Sequence, residues 1–159
     1  EFRLVNGTLR EQLTFGISDP GDDAIIGAAN ATGLGKLVAA HPKGLELPIS
    51  EGGKGLSGGQ RALAGLTRLL LARPKMWLLD EPTAALDQES EEQALRAVLG
   101  NLAEDDTLVL VTHKLPLLSL VQRVIVVING QIVIDGPTAA VLEKLRPAAP
   151  AASNQKAQA

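Results

Sequence analysis

Apolar and polar positions alternate along this chain with two different periods. In Ser57 to Leu71, Leu63, Leu66, Leu70 and Leu71 recur at the helical period, which predicts a helix closed by Pro74. Ser57 and Gln60 have capping-box spacing at its start. Asp22 or Asp23 opens a second helical stretch, "DDAIIGAANATGLGKLVAA", weakened by Gly27 and Thr32. "LDQESEEQALRAVLGNL" reads as a third, with Asp87 as cap and Glu89, Glu91 and Glu92 where the helix dipole favours anions. Two short apolar runs, "KMWLLDEP" and Thr107 to Thr112, have the length of buried strands. "RVIVVINGQIVIDG" is a pair of strands joined at Asn129-Gly130, a strong hairpin signal. "TAAVLEKL" reads as a short final helix. "HPKGLELPISEGGKG" reads as a long loop, and residues 147–159 as a disordered, low-complexity tail.

Strands alternating with helices predict an α/β fold with a mostly parallel sheet. Ligands of such sheets lie beyond the carboxyl ends of the strands, where Asp80, Glu81 and His113 fall. Composition adds limits. The 159 residues suit one domain, with 45 % apolar residues for a core and only 2 % aromatic. A net charge of −3 and few stacking rings argue against nucleic acid as a partner. Without cysteine there is no disulfide or thiolate metal site. No apolar run approaches the roughly 18 residues of a membrane span.

The glycine-rich stretch "SEGGKGLSGGQRALAG" opens onto the helix of Ser57 to Leu71, and such loops receive phosphate. Gly53, Gly55 and Gly58 spell G-x-G-x-x-G, but Pro48, Ser50 and Glu51 stand where a dinucleotide fingerprint needs an apolar strand. The phosphate loop G-x-x-x-x-G-K-[ST] occurs nowhere in the chain: Gly35-Lys36 is followed by Leu37, and position 30 is Asn. Leu56, Ser57, Gly58, Gly59 and Gln60 instead combine a hydroxyl, two glycines and a helix N-terminus, a receptor for an anion. Asp80, at a strand end, is suited to hold Mg²⁺ through water. Glu81 beside it is suited to orient or deprotonate an attacking water. His113, after the next strand, suits a polar contact to phosphate. His41 has no such surroundings.

In this order, the pieces resemble the ATP-binding cassette (ABC) ATPases. "LSGGQ" resembles their signature motif, and "MWLLDE" the Walker B strand with its catalytic Glu81. "AALD", ending in Asp87, resembles the D-loop, and His113 the switch histidine. The resemblance covers about Glu51 to Lys114 and extends weakly to both ends. "NGTLREQLTFG" is similar to the segment after the exporter Q-loop, and Glu51 to the exporter X-loop acid that meets the membrane domain. The flanks "HPKGLELPISEGGKGLSGGQ" and "VTHKLPLLSLVQRVIVVINGQIVIDGP" look most like bacterial type I protein secretion exporters. Ala62 and Ala85 depart from the common Gln and Ser.

The resemblance implies a partial P-loop NTPase fold spanning 1–146. A helical, signature-bearing part would run to about residue 72, and the Walker B, D-loop and H-loop part from 73 to 146. The Walker A strand and Q-loop glutamine would precede residue 1. The resemblance further implies ATP and Mg²⁺ as cofactors and a head-to-tail homodimer with a second nucleotide-binding domain. Leu56 to Gln60 would then face the ATP of the partner subunit. It implies a transmembrane domain reached through the Glu51 region, a periplasmic adaptor and an outer-membrane channel, and a place at the cytoplasmic face of the bacterial inner membrane. Without a phosphate loop, the 159 residues are expected neither to bind ATP tightly nor to hydrolyse it. The two other readings are a soluble cassette ATPase of DNA repair or translation, and a non-catalytic module offering only its signature face.

Overall fold

A computed structural model describes residues 4–145; the expected tail at 147–159 lies outside them. The chain divides into two compact units, one up to Val111 and one from Thr112 on.

The first unit begins with β1 (Gly7–Thr8), α1 (Leu9–Thr14), α2 (Asp22–Thr32) and α3 (Gly35–Ala40). The single helix expected from Asp22 is therefore two. Gly33, at φ 94°, ends α2 in a left-handed cap, its N–H donating to Asn30 O at 3.2 Å. The long loop expected over residues 41–55 contains 3₁₀ turns at Gly44–Glu46 and Glu51–Gly53 and a strand, β2 (Pro48–Ile49). Strand β2 pairs antiparallel with β1, Thr8 opposite Pro48. That pairing joins segments some forty residues apart, so no local pattern announces it.

Helix α4 (Gly58–Ala72) follows the predicted pattern closely. Its capping box forms reciprocally: Gln60 N–H donates to Ser57 Oγ at 3.1 Å, and Ser57 N–H to Gln60 Oε1 at 2.9 Å. This satisfies two of the amides a helix start leaves open. Leu63, Leu66 and Leu70 are buried, and Arg73 turns left-handed to end the helix before Pro74. Between α2 and α4, the fully buried hydroxyls of Thr32 and Thr67 meet at 2.7 Å, and Thr67 also donates to Leu63 O. Those bonds make burial of the two hydroxyls tolerable.

Strand β3 (Met76–Asp80), α5 (Gln88–Asn101) and β4 (Thr107–Val111) complete this unit. Strands β3 and β4 run parallel, in register from Met76 opposite Thr107 to Asp80 opposite Val111. Both strands were expected to be buried; each is covered on one face only. Trp77 and Leu79 are buried among the helices with Leu108 and Leu110 packed nearby, while Leu78 is 66 % and Val111 55 % exposed. Parallel strands are ordinarily covered on both faces.

The second unit holds a 3₁₀ turn at Leu115–Leu120, β5 (Arg123–Ile128), β6 (Gln131–Pro137) and α6 (Thr138–Leu145). The hairpin turns at Asn129 and Gly130, both with positive φ (50° and 77°), as the sequence predicts. Arg123 grips Asp135 across the strands with two bonds of 2.8 and 2.7 Å. Among the described residues the strands make three two-stranded sheets, and parallel pairing is confined to β3–β4. Strands β4 and β5 belong to different sheets.

Candidate functional site

The signature segment builds one wall of a cleft of about 370 Å³. Leu56 is buried and does not line it; Ser57, the cap of α4, and Gly58, Gly59 and Gln60 of its first turn do. The opposite wall is Ala85, Leu86, Asp87 and Ser90. That wall is folded by local turns: Ala84 N–H donates to Glu81 O at 3.2 Å and Leu86 N–H to Thr83 O at 3.1 Å. Thr83 is buried, and its hydroxyl donates to Glu91 Oε1 of α5 at 3.1 Å, tying the loop to that helix.

The walls approach closely at the two glycines. A Cβ on Gly59 would stand 3.1 Å from Ala85 O and 3.4 Å from Leu86 Cδ2; one on Gly58 would touch Ala85 Cβ at 3.4 Å. The adjacent glycines therefore let the two loops close on each other and leave the backbone accessible. No acid occupies the first turn of α4, so its N-terminal dipole is not offset there. Arg61 from the same turn donates to Leu56 O at 2.7 Å, holding the segment before the cap.

Asp87 lies across the cleft as the cap of α5. Its carboxylate accepts the Ser90 N–H at 2.9 Å and the Ser90 hydroxyl at 3.1 Å. The backbone bond first, and the hydroxyl second, hold this carboxyl below the usual carboxylate range. Its two oxygens are thus engaged in capping at the rim of the cleft.

Asp80 and Glu81 lie at the carboxyl end of β3, as the sequence predicts, but do not line this cleft. Glu81 has a left-handed backbone, φ 45°, and its N–H donates to Val111 O at 3.0 Å. A non-glycine residue in that region is strained and is held by its surroundings. The bond to Val111 O ties the Glu81 backbone to the end of β4, just past the end of β3. His113 is exposed and belongs to the second unit, in the turn after β4, where Lys114 N–H donates to Thr112 Oγ1 at 3.1 Å. Glu51 is exposed on its 3₁₀ turn. Among the described residues no group of three or more acids and histidines is gathered for a metal ion. Exposed Asp80, a single hard oxygen donor, fits Mg²⁺ that keeps most of its shell as water and phosphate oxygen.

Sequence reasoning missed two contacts. The Thr83–Glu91 latch carries no local signal, because it joins a loop to a helix face. The Thr8–Glu11 capping box that starts α1 was legible as T-x-x-E in "TLRE".

Comparison with known proteins bears on the family and the fold. The ABC transporter family matches residues 25–84. The glutathione/L-cysteine transport system ATP-binding/permease protein CydC of Haemophilus influenzae is 40 % identical over 134 residues, 84 % of this chain and 23 % of that protein. The ATP-dependent lipid A-core flippase of Neisseria meningitidis is 38 % identical over 133 residues, 84 % of this chain and 21 % of that protein. The chain thus spans less than a quarter of the length of these relatives. A solved bacterial Atm1-family ABC exporter with ATP bound superposes with a TM-score of 0.83 at 24 % identity, covering 91 % of this chain and 25 % of that one, which shows the fold. The chain belongs to the ABC transporter ATP-binding domains.

Proposed function

We propose that this chain contributes the signature half of a nucleotide site in the ATP-binding domain of an exporter. The observation that carries the reading is the cleft between the signature turn and the D-loop, which excludes the acids of β3. Ser57, Gly58, Gly59 and the first amides of α4 receive the γ-phosphate of an ATP held by a second domain packed head to tail. Asp80, Glu81 and His113 serve a different ATP, on a phosphate loop of their own domain. Mg²⁺, when bound, neutralises charge between the phosphates. Asp80 would hold it through water, Glu81 would orient the attacking water, and His113 would contact the phosphate. The reaction is in-line displacement at the γ-phosphate, so positioning does most of the work.

Exporter relatives and the exposed Glu51 support coupling to a transmembrane domain, at the cytoplasmic face of a bacterial inner membrane. The narrower reading, type I protein secretion with a periplasmic adaptor and an outer-membrane channel, rests on the flanking segments alone. The named relatives, a glutathione/L-cysteine system and a lipid A-core flippase, favour an exporter of small or lipidic cargo.

Calorimetric titration of the 159-residue chain with Mg-ATP tests where ATP is held. No binding tighter than about 1 mM, about 4 kcal/mol, is expected. Sub-millimolar affinity would show that the chain holds ATP unaided and would overturn the division of the site.

A further inference from the structure

We infer that Asn6 is the positioning residue for the Glu51 turn, fixing it against α1 and the start of the signature helix. Glu51 N–H donates to Asn6 Oδ1 at 2.7 Å, and the neighbouring Gly52 N–H donates to Leu4 O at 2.9 Å. The Leu4–Asn6 segment is itself held from the other side, since Val5 N–H donates to Oε1 of buried Gln12 in α1 at 3.0 Å. Three residues thus link α1 to a turn more than forty positions away.

The contacts continue towards the site. Gly53 lies between the Leu4 and Arg61 side chains: a Cβ there would stand 2.6 Å from Leu4 Cδ1 and 2.8 Å from Arg61 Cδ. Leu56 N–H donates to Gly53 O at 3.1 Å, and Arg61 donates to Leu56 O. The turn that carries Glu51 is therefore packed against the residues that precede the signature cap. Apart from Asn6, these links are main-chain bonds, buried Gln12 and Leu4, or Arg61 of the signature turn. Asn6 is exposed, so its amide can be changed without opening the core. Its short side chain places one acceptor oxygen on the Glu51 amide. Aspartate supplies the same acceptor at the same reach, and alanine supplies none.

The meaning of this anchor rests on the proposed role of Glu51 at a membrane partner, but its existence does not. Amide hydrogen exchange on the full chain tests it, comparing wild type with Asn6→Ala and Asn6→Asp. Asn6→Ala is expected to speed exchange at the Glu51 and Leu56 amides by about tenfold, with the Leu66 and Val98 amides unchanged. Asn6→Asp is expected to restore wild-type protection. Unchanged exchange at Glu51, faster exchange shared by the core amides, or failure of aspartate to restore protection would each overturn the inference. Such a result leaves the exporter reading standing, whereas sub-millimolar ATP binding overturns the division of the nucleotide site and leaves the anchor.

Discussion

Single residues in this protein do two jobs, and Asp87 is the clearest case. It lines the cleft and also caps α5 through Ser90. Because those bonds hold its folded-state carboxyl below the usual range, its charge adds stability above the unfolded value, about pH 4. That contribution disappears as pH falls through the folded value. Asparagine is also a good cap, so Asp87→Asn removes charge and keeps the geometry. Urea midpoints of wild type and Asp87→Asn are expected to differ at pH 7 and to converge as pH drops below about 4. A difference that stays constant with pH would contradict the assigned cause. The role of Asp87 as a cap is legible in "LDQESEE", because capping is local. The latch from Thr83 to Glu91 is not, because it depends on where α5 lies relative to a loop.

At the scale of elements, local pattern predicts α4, α5, α6, the runs of β3 and β4 and the hairpin, but not α1, β1 or β2, and long-range pairing decides the details. Helix α4 and the hairpin at Asn129-Gly130 formed as expected because their signals are carried within a few residues. The split of α2 from α3 hung on one left-handed glycine, and β2 on a partner strand far away in sequence. The short apolar runs of β3 and β4 predict buried strands, as in a covered parallel sheet. Met76, Leu78, Val109 and Val111 are instead exposed on one face of the ribbon. Such a face, bounded by open strand edges, invites association. Sedimentation velocity of the 159-residue chain is expected to show concentration-dependent self-association. Leu78→Lys is expected to shift the distribution towards monomer. A sharp monomeric boundary for the wild type, with cooperative melting, would contradict this reading of the exposed face.

At the scale of the whole molecule, motif order carried more information than any one motif. The G-x-G-x-x-G spacing of Gly53, Gly55 and Gly58 is a fair match on spacing alone, yet the structure places a 3₁₀ turn at Glu51–Gly53 rather than the end of an apolar strand. The ordered set of signature, strand-end acids, D-loop and histidine pointed to the family that the comparisons support. The division of labour between signature and strand-end acids is already an expectation from the motifs; the structure adds that signature and D-loop share a cleft whose lining does not include the strand-end acids. On the proposed reading, the signature turn receives phosphate delivered from elsewhere. Photolabelling with an ATP analogue carrying its reactive group on the γ-phosphate tests this directly. The chain is incubated with the analogue alone, and again with an added ATP-binding domain that has its own phosphate loop. Label is expected on the Leu56–Gln60 peptide only when the second domain is present. Equal labelling of that peptide without the second domain, or none with it, would contradict a signature turn that acts on another domain's ATP.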